Sequence, residues 1–178
     1  MFSLDDKVVY PGHGVATVHR IVLKEIAGTV TACFELKFLT KDMTILVPTN
    51  NLLLVGVRRL SSLQDIEEIF NVLTQPVTKL PYEVHTVNWN RRSKHYKAEM
   101  RKGNPKEICK IYRDLKYIAH YKELSFGEKT LLAQIELLLA QEISLVKNID
   151  QDKVIEQLRS LFIHAPTISA SSLVAPVL

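Results

Sequence analysis

The sequence predicts an α+β chain in two parts, a small antiparallel β-barrel followed by an all-α helical bundle. Two observations carry this. Residues 7–59 hold five short β-branched or apolar runs, broken by turn residues, with no helix-length period among them. Beyond Arg59 the apolar spacing changes to threes and fours, and capping residues stand ahead of the periodic stretches.

The first run, Lys7–Tyr10, stops at Pro11-Gly12-His13-Gly14, where proline and glycines make a turn. Val15–Glu25 and Thr29–Leu39 flank Ala27-Gly28, a hairpin turn. Met43–Val47 follows Lys41-Asp42 and closes at Pro48, and Leu52–Val57 is expected as a fifth strand. Such a set suits a barrel of the SH3 or Tudor type, whose open edge accepts a partner strand. Residues 1–60 are thus expected to dock on another protein.

Ser61-Ser62 caps the next element, a helix carrying Leu63, Ile66, Ile69, Phe70 and Leu73, with Asp65 and Glu67 in its first turns. Gln75–Thr86, with Pro76 and Pro81, reads as a connection. Asn88 is a fitting N-cap for a helix that opens at Trp89 and stops at Gly103. Pro105 starts the next, with Ile108, Ile111, Tyr112, Leu115, Ile118 and Ala119 as its buried stripe and Lys106, Lys110, Arg113 and Lys116 largely off it. Ser125 and Glu128 form a capping box ahead of Leu132, Ile135, Leu139, Ile143 and Val146. Asp150 caps a last helix to about Phe162, which makes 61–164 a helical domain and 165–178, small and uncharged, a flexible tail.

Composition narrows the function classes. Residues 1–6 do not read as a secretory signal, and the apolar helix after Thr130 is interrupted by Gln134, Glu136, Gln141 and Glu142. A cytoplasmic protein with no membrane partner is expected. Cys33 and Cys109 lie outside any C-x-x-C pair and fit two reduced thiols. The six histidines form no H-x-x-x-H pair, and Pro11–Gly14 lacks the Lys-Ser/Thr of a phosphate loop. No catalytic constellation or cofactor site emerges, so the chain is expected not to be an enzyme.

Charge supplies the positive signal. Arg91 to Lys116 carries ten basic residues against three acidic ones, a local +7 that leaves the rest of the chain at −3. A block of this kind on an acidic background reads as a polyanion-binding face, and a solvated helix face is the alternative. Arg91, Arg92 and Lys94 lie in the first turns of a helix, where the macrodipole disfavours each cation by about 0.3–1 kcal/mol unless an anion binds there. Trp89, the single tryptophan, shares a spacing of four, three and four with Ser93, Tyr96 and Met100. That stripe equally suits a core ring, and both readings stand on spacing alone.

The motifs V-V-Y-P-G-H-G-V-A (8–16), T-I-L-V-P (44–48), N-W-N-R-R (88–92), Y-R-D-L (112–115) and L-S-F-G-E-K (124–129) occur in one order along the chain. Together they resemble the CarD family of bacterial transcription regulators, to about Phe162. The resemblance implies that 1–60 is the RNA-polymerase-interacting domain, shared with the transcription-repair coupling factor, and binds the polymerase β subunit. It implies that 61–164 binds promoter DNA without sequence specificity. Trp89 would wedge into the minor groove at the upstream edge of the bubble and stabilise the open complex, with Arg91, Arg92, Lys94 and Lys129 on phosphates. At the polymerase contact, Lys24 matches a basic residue, Leu46 replaces a second, and Ile26 would add apolar contact. Ser93 stands where family members often carry an aromatic residue, and Lys97 where they carry an apolar one. A monomer, cytoplasmic and nucleoid-associated, is implied. The competing readings are an architectural DNA-binding protein that acts without polymerase, and a scaffold whose basic face is merely solvated.

Overall fold

A computed structural model describes residues 2–75 and 89–162. Strands β1 (Lys7–Tyr10), β2 (Gly14–Ile26), β3 (Thr29–Phe38), β4 (Thr44–Pro48) and β5 (Arg58–Arg59) form one antiparallel sheet in the order β4-β3-β2-β1-β5. A short helix, α1 (Leu52–Val55), lies between β4 and β5, and α2 (Leu63–Thr74), α3 (Trp89–Lys102), α4 (Pro105–Tyr121), α5 (Phe126–Lys147) and α6 (Gln151–Ser160) follow. The chain is α+β. Asn88, the connection beyond Gln75 and the tail at 165–178 lie outside the described residues.

The sheet corrects the expected barrel, because its edge strands β4 and β5 do not pair and it stays open. Strand length gives the reason. β2 and β3 extend over 13 and 10 residues as one long hairpin, whereas β5 supplies only Arg58 and Arg59, paired with Val9 and Val8. Two residues are too few to carry the sheet round to its far edge. The expected fifth strand, Leu52–Val57, is instead largely α1, opened where Asn51 N donates to Pro48 O and Val55 N to Asn51 O. A short apolar run fits either a buried strand or a helical turn, and here the turn after Pro48 selects the helix.

Register separates the two faces of the sheet. Ala16, Val18, Phe34, Leu36, Phe38 and Val47 share one face and, with Val8, Leu52 and Val57, make the N-terminal core. Farther along the hairpin the same face carries Ile21 and Leu23, both well exposed. On the opposite face Val9 and Val15 are buried where the sheet meets Leu138 and Leu139 of α5.

The helices form a second core. Ser62 and Asp65 make a reciprocal capping box for α2, which buries Ile66, Ile69 and Leu73 and leaves Leu63 exposed. Gly103, at φ +72°, ends α3, and Asn104 with Pro105 starts α4. On α4 the expected stripe is buried except Ala119, while Cys109 and Tyr117 join it. Burial pushes the Cys109 thiol up, so it behaves as a core atom. Ser125 and Glu128 cap α5, as read from the sequence, and Asp150 caps α6.

The Pro11–Gly14 turn joins the two cores. Gly14 has φ +104°, and a Cβ there would collide with the Gln141 side chain, whose Oε1 accepts from Val15 N at 3.1 Å. Nearby, Arg58 donates both terminal nitrogens to Glu142 at 2.6 and 2.8 Å, and its Nε to Gly103 O at 2.9 Å. Ser61 N and Oγ complete the Glu142 shell at 2.9 and 2.8 Å. Burial opposes ionisation of Glu142, but Arg58 and Ser61 outweigh it and hold the carboxyl below its usual range.

A depressed carboxylate contributes stability that is present above its unfolded value, about 4.5, and is lost as pH falls through the lower folded value. Urea denaturation should therefore show the Glu142→Gln chain destabilised by roughly 3 kcal/mol at pH 7. The difference between variant and wild type should shrink as the pH is taken below about 4.5.

Candidate nucleic-acid interface

The start of α3 meets the start of α5. The capping box brings Ser125 N and Oγ onto Glu128 Oε2, both at 2.9 Å, and so turns the Glu128 side chain back over the first turn of α5. Arg92, one turn into α3, donates Nη2 to Glu128 Oε1 at 2.6 Å, and Lys122 Nζ approaches the same oxygen at 3.3 Å. Arg92 is 8% exposed and Glu128 1%. Burial opposes charge on Glu128, yet the hydrogen bonds from Ser125 and Lys122 prevail and its carboxyl sits below the usual range.

Trp89 lies above this pair. It is half-buried, packed against the helical core, with its ring over Gly127. A Cβ on Gly127 would come within 2.8 Å of Trp89 Nε1. The Arg92 guanidinium lies 6.0 Å from the ring centroid, at the outer limit of a cation–π contact. Phe126 stands beside this junction, 87% exposed. Tyr96 and Met100 anchor the rest of α3 in the core; burial, with Asp114 nearby, pushes the Tyr96 phenol up to about 12. Ser93 donates its hydroxyl to Asn90 O and leaves that anchoring to its neighbours.

The expected phosphate-binding residues fall into two groups. Arg91 and Lys94 are exposed on α3 and form no ion pair among the described residues. Lys129 is exposed and pairs with exposed Glu123 at 2.7 Å, a contact that water screens strongly. Arg92 departs from expectation: its side chain turns inward, because Glu128 supplies within the fold the anion that its place at a helix start demands.

Lys97 and Arg101, which sequence reasoning left unassigned, belong with Arg91 and Lys94. The four recur at three, three and four, opposite the face that buries Arg92, Tyr96 and Met100. The other cations of the basic block are engaged: Lys102 with Glu99, Lys106 with Glu68, Lys110 with Glu107, Arg113 with Asp114 and Val72 O, and Lys116 with Glu136. Arg113 and Lys116 point inward, not off the buried stripe as helical spacing suggests.

On the sheet, register puts Lys24, Ile26 and Leu46 on one face. Leu46 lies opposite Glu35, which holds Arg20 through two 3.0 Å bonds, while Lys24 and Ile26 stand farther out on the hairpin. Arg20 is thus a cation close to Leu46 that sequence reasoning did not single out. Among the described residues no His/Cys/Asp/Glu group is placed to hold a metal ion, and no helix is long and apolar enough to cross a membrane.

The chain thus sets an open sheet on a helical bundle whose α3 presents a row of cations with no ion pair among the described residues. The family model described as CarD-like/TRCF RID domain matches residues 2–61, and that described as CarD, C-terminal domain matches residues 68–159. The chain belongs to the CarD family and is a transcription regulator of that family. It is 23% identical over 154 residues to "Putative transcription factor YdeB" of Bacillus subtilis (strain 168), covering 86% of this chain and 97% of that protein. It is also similar to the 72-residue N-terminal domain of Myxococcus xanthus CarD, solved by solution NMR, at 32% identity and TM-score 0.30 over 33% of this chain and 79% of that one.

The two neighbouring arginines should behave oppositely in chemical denaturation. Arg92→Ala strands Glu128 in the interior and should cost roughly 3–5 kcal/mol, whereas Arg91→Ala should stay within about 0.5 kcal/mol of wild type.

Proposed function

We propose that the chain tethers to the RNA polymerase β subunit through its sheet and stabilises the promoter open complex through the junction of α3 and α5. The observation that carries the DNA-facing half is the row Arg91, Lys94, Lys97 and Arg101 beside Trp89. Among the described residues these cations have no ion pair, while their neighbours in the block are paired. A row on one helix face tracks a phosphate backbone and reads no bases, so promoter choice rests with the polymerase.

In this reading Trp89 enters the minor groove at the upstream edge of the bubble, where a planar apolar ring offsets an unstacking cost of a few kcal/mol. Arg91, Lys94 and Lys129 hold flanking phosphates, Lys129 exchanging Glu123 for DNA. Arg92 acts from behind the ring. Residues 1–60 dock through the face that carries Lys24, Ile26 and Leu46, and 61–164 bind DNA. The protein acts as a cytoplasmic, nucleoid-associated monomer, and no step calls for catalysis or a cofactor.

Trp89→Ala should shorten open-complex lifetime several-fold in a purified transcription assay while retention by isolated β subunit persists; an unchanged lifetime excludes the wedge. Lys24→Glu should weaken that retention, and failure of the wild-type chain to be retained by isolated β subunit points to an architectural protein that acts without polymerase. Affinity for forked DNA should fall with salt, and Lys94→Ala and Lys97→Ala should each reduce the log–log slope by about 0.9.

A further inference from the structure

Building on that functional reading, we propose that Gly127, Arg92 and Glu128 are positioning residues that together form a seat for the Trp89 ring. Three contacts define it. Gly127 leaves the space that the indole fills, with a Cβ there falling 2.8 Å from Nε1 and 3.1 Å from Cε2 and Cζ2. Arg92 stands at 6.0 Å from the ring centroid. Glu128 fixes Arg92 at 2.6 Å and is itself fixed by Ser125 N and Oγ.

The seat is assembled across elements. Trp89 and Arg92 share a face one turn apart on α3, whereas Gly127 and Glu128 come from the first turn of α5, 35 or more positions along the chain. A half-buried indole held this way has its aim set before DNA arrives, which removes the ordering cost that a free side chain meets on binding. The seat also gives a physical reason for glycine in the capping turn of α5. Gly127 is not among the glycines with positive φ, so backbone strain does not require it. Alanine is the better helix former, and what excludes it is the ring.

Trp89 is the single tryptophan, so its emission reports the seat directly, without DNA or polymerase. Gly127→Ala should leave helix content intact, shift the emission to the red, raise acrylamide quenching severalfold and shorten open-complex lifetime toward that of Trp89→Ala. Ser62→Ala is the contrast: it should lower the unfolding midpoint through loss of the α2 cap and leave emission within error of wild type. Glu128→Gln, which keeps the side-chain shape, should move emission in the same direction as Gly127→Ala.

Unchanged emission and quenching in Gly127→Ala would overturn the seat. So would a shifted emission with a wild-type lifetime, under conditions where Trp89→Ala shortens it. Failure of the functional reading has its own signature, an unaltered lifetime in Trp89→Ala itself, and the seat is then judged by emission and quenching alone.

Discussion

Three buried carboxylates on one helix hold this protein together. Glu128, Glu136 and Glu142 all lie on α5, and each is met by an arginine from a different element: Arg92 of α3, Arg159 of α6 and Arg58 of β5. Removing a carboxylate from water is costly, and the attraction of a partner offsets that only when geometry is good and the other lone pairs are satisfied. Here they are satisfied, by Ser125 at Glu128, by Tyr112 at Glu136 and by Ser61 at Glu142. All three carboxyls lie below their usual range despite burial, because these donors outweigh desolvation. Such pairs add little net stability over apolar packing. Breaking one leaves a stranded charge, so the set selects one arrangement of sheet and helices around α5.

That constraint links the fold to the candidate interface. The pair at Glu142 joins the sheet to the bundle, with Arg58 also reaching Gly103 at the end of α3. The pair at Glu128 holds the start of α3 at the start of α5. The β2–β3 sheet and α3 are thus both tied to α5. The same logic revises the meaning of the basic block. Six of its ten cations are paired within the fold, and the four with no ion pair among the described residues form one row on α3. A +7 segment read as a list of residues overstates the unpaired charge, since Arg92, Lys106 and Lys116 meet carboxylates from outside it, at Glu128, Glu68 and Glu136.

The sequence also declared which residues would punctuate the chain. Ser62 with Asp65, Ser125 with Glu128, Gly103 with Pro105, and Asp150 act within a few residues of themselves, so local rules identify them. The apolar stripe of α4 was legible for the same reason, apart from Ala119. Leu52–Val57 was not, because four apolar residues look alike in a strand and in a turn of helix. Nor was the open sheet, since closure depends on how far β5 extends and local propensity does not set that length.

Sequence alone therefore determined the α+β class, the helices from α2 onward and the family. Tertiary structure decided which of the α3 cations face outward. Arg91 and Arg92 are chemically identical neighbours, yet a helix turns successive residues by about 100°, so one meets solvent and the other meets Glu128. Glu128 lies 36 positions away. A partner that distant is chosen by the packing of α3 on α5, a long-range term that no local reading of either segment contains.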